Sequence, residues 1–345
     1  MSKTAYGTAI DLSGLGLDQI VETDEAFEIG CMVSLRQLET HEALNTYTAG
    51  AVREAVKDIV GVQFRNTATV GGSIWGRYGF SDVLTVFLAM DTTVVCHKAG
   101  EISLKDFATM KADRDILVKL VVKKKAIQMA YLAQRHARTD FPMLTCAVSC
   151  MDGKWAASIG ARPSKAMVVA DDEMLFAGEM TEEKAKAFGN YVAEKLVFGS
   201  NMRGSADYRR QITPVLVKRA IMKAGNEAVK LGIEYLKEMD GWVFCPCDQP
   251  LLKRESLENL LNVPYIHDDL IARLHWEDSV GTPIFFGKKY YEELCNLPEK
   301  KGGSYVAKQH PEKVKLVTVL DEKELWDLDT PDDLPVFLES IPTEK

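Results

Sequence analysis

No run of about 18 apolar residues occurs in the sequence, so it offers no transmembrane helix. The opening stretch, MSKTAYGTAIDLSG, lacks the continuous apolar core of a signal peptide. Cysteine is scarce and scattered. There are seven, an odd number, which reads as reduced thiols in a cytoplasm and not as a disulfide framework. Only Cys245 and Cys247 stand close together, with no second pair at zinc spacing, so strand-end packing is their simpler role. The six histidines are dispersed, and neither HExxH nor GxSxG occurs. Basic charge is also in deficit: 42 Lys and Arg face 50 Asp and Glu, a net charge of −8. Such a chain is poorly suited to a nucleic-acid backbone. No internal repeat and no low-complexity stretch is present. What remains is a soluble globular composition, 46% hydrophobic and 27% charged, long enough for two or three domains.

Three blocks follow from patterning. In the first, TAIDLSGL reads as a strand ending in a turn, and AFEIGCMVSL as a second strand. Ser34 with Gln37 forms a capping-box pattern before SLRQLETHEAL. AGAVREAVKDIV and DVLTVFLAM read as helices, and TTVVCHKAGEISLKDF as a hairpin. In the second block, PMLTCAVSCMDGKWAASIGA reads as two strands joined at MDGK. Helical segments are expected around 165–176, around 181–197, and over SADYRRQITPVLVKRAIMKA, with Pro214 near a helix start or kink. In the third, NEAVKLGIEYLKEM reads as an amphipathic helix, GWVFCPCDQPLL as an apolar strand that runs straight into an acidic loop, RESLENLLN as a helix, and GTPIFF and KVKLVTVL as strands.

The stretch NTATVGGSIWGRYGFSD, Asn66 to Asp82, holds an adjacent glycine pair. One reading is a strand-to-helix turn that needs positive φ. The other is a phosphate loop. Adjacent glycines leave N–H groups open to an anion, Thr69 and Ser73 add hydroxyls, and a following helix aims its positive end at the charge. Asp82 then accepts hydrogen bonds from ribityl or ribose hydroxyls. The pattern is not GxGxxG and follows no Rossmann unit. Arg203 and Arg209, in RGSADYRR, offer either an anion site or a helix-end anchor.

Together with DLSGLGLDQI, FEIGCMVSLRQLETH and GEISLKDF, the motif FRNTATVGGSI…SD resembles the FAD-binding domain of the molybdenum hydroxylase family, which includes the medium subunit of carbon monoxide dehydrogenase and the flavin domain of xanthine dehydrogenase. TDFPMLTCAVS and MRGSADYRRQITPVLVKRAI resemble the C-terminal domain of the same flavoproteins. The resemblance implies FAD held by Thr69, Val70, Gly71, Gly72 and Ser73 at its phosphates and by Asp82. It also implies a molybdenum-cofactor subunit and an iron–sulfur subunit as partners, with NAD or another acceptor taking the electrons. No iron–sulfur cysteine pattern lies in this chain. Two departures stand out. Ser73 replaces the usual Asn, and the glycine-rich loop of the AGGTD type expected before AIDLSGL does not occur, which implies weakened FAD binding.

CDQPLLKRESLENLL…GTPIFFGKKYYEEL…GGSYVAKQHPEKVKLVTVLDEKELWDLDTPDDL is similar to the molybdenum cofactor cytidylyltransferase family. By that resemblance Asp248 and Asp329 are candidates for Mg²⁺ beside a nucleotide, Asp248 at the end of a strand where α/β enzymes place ligands. The family's LAAG…RMG…K nucleotide loop does not occur, and Thr282 stands where His is usual, so little or no transfer activity is expected.

The expected architecture is therefore α+β flavoprotein domains followed by a partial α/β nucleotidyltransferase-like domain. The divisions are residues 1–125 for FAD binding, 126–222 for the flavoprotein C-terminal domain and 223–345 for the transferase-like part. The expected function is a flavin subunit of a molybdenum-dependent hydroxylase. The rivals are a molybdenum cofactor cytidylyltransferase and a shortened docking paralogue without turnover. A cytoplasmic protein without nucleic-acid or membrane partners is expected.

Overall fold

The computed structural model describes residues 10–111, 114–176, 181–245, 249–263, 268–298 and 302–326. It divides into two compact units, the first made of residues 1–152, 156–169 and 195–213, the second of 153–155, 170–194 and 214–345. The sequence boundary at 222/223 and the division by contacts at 213/214 both fall inside one continuous helix.

The first unit opens with a five-stranded antiparallel sheet: β1 (Ile20–Glu22), β2 (Ala26–Gly30), β3 (Thr92–Cys96), β4 (Gly100–Ser103) and β5 (Leu117–Lys123), in the order β1-β2-β5-β3-β4. Seven short helices accompany it: α1 (Leu35–Thr40), α2 (Glu42–Tyr47), α3 (Ala51–Val56), α4 (Val62–Thr67), α5 (Val70–Trp75), α6 (Asp82–Leu88) and α7 (Leu104–Thr109). Alternation places Phe27, Ile29, Val94, Leu120 and Val122 in one core with Leu38, Val52, Leu84, Phe87 and Phe107 of the helices. Each such fully buried side chain contributes roughly 1.5–3 kcal/mol. The Ser34–Gln37 capping box forms as expected.

TAIDLSGL does not form the expected strand over its described residues. Gly14 and Gly16 both take positive φ, +79° and +71°, and turn the chain before β1 begins. The central strand β5, LVKLVVK, is not foreshadowed by clean alternation, because its lysines interrupt the apolar run.

A second sheet, β6-β7-β8-β9, is built from β6 (Ile127–Gln134), β7 (Leu144–Met151), β8 (Lys154–Gly160) and β9 (Met167–Ala170). At the MDGK turn Asp152 and Gly153 both have positive φ, 51° and 77°, the geometry that matches strand twist in a two-residue hairpin. The helix expected around 165–176 is instead β9 followed by turns. Its two adjacent valines and the open edge of β8 favour pairing over helix. Helices α8 (Glu182–Lys195) and α9 (Ala206–Tyr235) follow. NEAVKLGIEY is not a separate helix but the end of α9, which carries Pro214 inside it.

Two constraints fix the second sheet within the first unit. Arg209 is fully buried, and its hydrogen-bond partners among the described residues are neutral oxygens. Its Nε donates to the carbonyls of Met143 (2.8 Å) and Ala161 (3.1 Å). One terminal nitrogen donates to the carbonyls of Gly199 (2.8 Å) and Gly204, and the other to Asn201 Oδ1 (2.7 Å). It is thus the helix-end anchor of the two roles its motif offered. The other constraint is close approach. A Cβ on Gly160 would lie 2.4 Å from Thr85 Oγ1 and 2.5 Å from Thr145 Oγ1, two buried hydroxyls bonded to each other at 2.9 Å.

In the second unit β10 (Gly241–Phe244), β11 (Ile271–Trp276), β12 (Ser279–Gly287) and β13 (Val314–Thr318) form a sheet in the order β10-β12-β11-β13, with only β11 and β13 parallel. Both faces are apolar. Ile271, Ile284 and Phe286 pack with Ile233, Leu294 and Val306, while Ala272, Leu274 and Phe285 pack with Leu260. The helices concerned are α9 with α11 (Tyr291–Cys295) and α12 (Gly303–Gln309) on one side and α10 (Arg254–Asn262) on the other. The sheet face that half a doubly wound fold would leave bare is therefore covered from within the unit.

Two substitutions test these constraints by chemical denaturation. Gly160→Ala forces the Thr85–Thr145 pair apart and is expected to cost about 1–3 kcal/mol of stability. Arg209→Met strands several buried carbonyls and is expected to cost about 3 kcal/mol or more. Wild-type stability in either variant would show that its constraint relaxes freely.

Candidate functional site

The glycine motif sits at the start of α5, and its geometry corrects the sequence reading. Neither Gly71 nor Gly72 has positive φ. Thr69 caps the helix, its Oγ1 accepting from Gly72 N at 3.1 Å. Val70 N donates to Val33 O and Gly71 N to Cys31 O, both at 2.8 Å, and Ser73 N donates to Thr69 O at 3.1 Å. All four amides that would form a phosphate cradle are thus engaged inside the protein. Gly71 is required by packing, since a Cβ there would lie 2.6 Å from Cys31 O. Gly72 is different. It is exposed, and a Cβ would meet only Thr69 Oγ1, at 3.3 Å.

Four of the six flavin-site residues from the sequence, Thr69, Gly72, Ser73 and Asp82, line one cavity of about 400 Å³. Val70 is wholly in the core, and Gly71 instead lines a recess of about 310 Å³ that shares Thr69 and Gly72 with the first. The Thr69–Gly72 turn is therefore a ridge between two recesses. The larger is bordered by exposed apolar side chains, among them Val60, Phe64, Phe80 and Phe141. Its size and apolar lining are those of a small-molecule site, which falls in the range of about 300–1,000 Å³.

Asp82 begins α6, behind the Ser81 N-cap, and is only 6% exposed. Its Oδ1 accepts from the Tyr131 hydroxyl and from Arg135 at 2.5 Å. Burial raises its carboxyl above the usual range, against the opposing pull of the Arg135 charge and the Tyr131 hydrogen bond. Burial, and then the Asp82 charge, push the Tyr131 phenol well up. Both side-chain hydrogen bonds to Asp82 fall on Oδ1. Tyr131 and Arg135 went unnoticed in the sequence because β6 itself did, and nothing in IQMAYLAQR alone points to Asp82, 49 and 53 residues away.

The donor set fits part of a flavin nucleotide. Asp82 suits ribityl or ribose hydroxyls, and the apolar border suits a planar ring. The glycine turn does not fit the role of a phosphate cradle, because its N–H groups have partners already. Asp248 and Asp329 lie outside the described residues. Among the described residues no three His, Cys, Asp or Glu side chains gather as a metal site, and no helix is long and apolar enough to cross a membrane.

Comparison with known proteins bears on the segments that carry these residues. Residues 1–124 match the family model of the FAD binding domain in molybdopterin dehydrogenase, and residues 164–314 match the MobA-like NTP transferase domain. The second match begins well before residue 223 and overlaps the segment whose motifs resemble the flavoprotein C-terminal domain. Uncharacterized protein YgfM of Escherichia coli (strain K12) is 28% identical over 231 residues, covering 66% of this chain and 85% of that protein. The nicotine 6-hydroxylase medium subunit of Paenarthrobacter nicotinovorans is 24% identical, covering 63% and 81%. Quinoline 2-oxidoreductase from Pseudomonas putida 86 superposes with a TM-score of 0.55 at 19% identity. Carbon monoxide dehydrogenase from Hydrogenophaga pseudoflava superposes with a TM-score of 0.53 at 21% identity. In each case 61% of this chain and 79% of the other are covered, a likeness of fold. The chain thus carries an FAD-binding domain of the molybdopterin dehydrogenase kind, on the fold seen in carbon monoxide dehydrogenase and quinoline oxidoreductase, joined to a MobA-like NTP transferase segment.

Proposed function

We propose that this chain is the flavin-holding subunit of a molybdenum-dependent hydroxylase. It receives electrons from an iron–sulfur partner and delivers them to NAD or another acceptor. Substrate oxidation belongs to a separate molybdenum-cofactor subunit. Bound FAD would supply the chemistry of collecting single electrons from the iron–sulfur partner and passing them onward. The observation that carries the reading is the convergence of Thr69, Gly72, Ser73 and Asp82 on one cavity, inside the segment that matches the FAD-binding model.

In this reading the chain's own residues bind and orient. Asp82 would accept from a flavin hydroxyl, while Tyr131 and Arg135 hold the carboxylate in place through Oδ1. The Thr69 and Ser73 hydroxyls line the turn. The aromatic side chains at the cavity mouth cover the ring system and exclude water.

A second reading, nucleotidyl transfer with Mg²⁺ and a nucleotide at Asp248 and Asp329, is favoured by the MobA-like match. Incubation with CTP, Mg²⁺ and molybdopterin cofactor decides it. We expect no pyrophosphate above a control without protein. Release that Asp248→Ala abolishes would make transfer the main activity.

The flavin reading is tested by titrating the apoprotein with FAD and following absorbance and fluorescence. Binding is expected to be weaker than about 1 nM, since no glycine-turn amide is open to the phosphates. Asp82→Ala is expected to weaken it about 10- to 100-fold, the loss of one charge-assisted hydrogen bond. Because the Asp82 carboxyl is raised, it stays partly protonated above the usual carboxylate range. FAD affinity should therefore climb as pH rises through that region, and Asp82→Asn should flatten the climb. Gly72→Ala should keep the fold and weaken FAD, whereas Gly71→Ala should lower thermal stability first. Absence of FAD binding by the wild-type chain would sink the reading.

A further inference from the structure

We draw no further inference here: the strongest candidate, the turn at residues 199–204 that Arg209 holds in place and that presents Met202 to solvent at 91% exposure, carries nothing, because nothing in the structure shows what covers this apolar surface patch.

Discussion

A buried arginine held by neutral oxygens organises the first unit. Arg209 holds the ends of β7 and β8 and the 199–204 loop through one guanidinium, with five hydrogen bonds to four carbonyls and one amide oxygen. Neutral acceptors suffice because the group is rigid and its donors are fixed in a plane. Met143, Ala161 and Asn201 are three of its partners. Ala161, Asn201 and Pro142, the neighbour of Met143, all line a cavity of about 460 Å³. The cavity's shape thus depends on a side chain that does not line it.

The glycine-rich loop obeys a related constraint. Gly79 and Gly160 are places where one backbone lies on another, and Ala161 N donates to Gly79 O at 2.5 Å. This contact brings residues 76–80 onto the end of β8. It fixes Arg77, Tyr78 and Phe80 next to a cavity whose opposite neighbour holds Asp82. Gly71 plays a similar packing part beneath α5, against Cys31. The glycines of this motif therefore permit close approach between segments.

The second unit obeys different rules. Its sheet has apolar residues on both faces, and helices from its own sequence cover them. Adjacent residues such as Phe285 and Phe286 point to opposite cores, as strand geometry demands. A unit with two cores of its own folds by the same accounting as an independent domain, which suits a segment that matches a separate family from that of residues 1–124.

The sequence by itself determined the composition class, the first-unit hairpins, the Ser34 capping box, most helices, and the identity of two family segments through ordered motifs. These rest on local physics: alternation, caps and turn residues act within a few positions. It also pointed to Asp82 and the Thr69–Ser73 turn. Tertiary structure alone decided the rest. β9 formed in place of a helix because an open strand edge outweighs local propensity. The amides of the glycine turn found partners at Cys31 and Val33, which no spacing rule reveals. Tyr131 and Arg135 reached Asp82 only because β6 pairs with β7 and lies near α6. Local pattern fixes elements, whereas a site joins residues distant in the chain, and only packing brings them together.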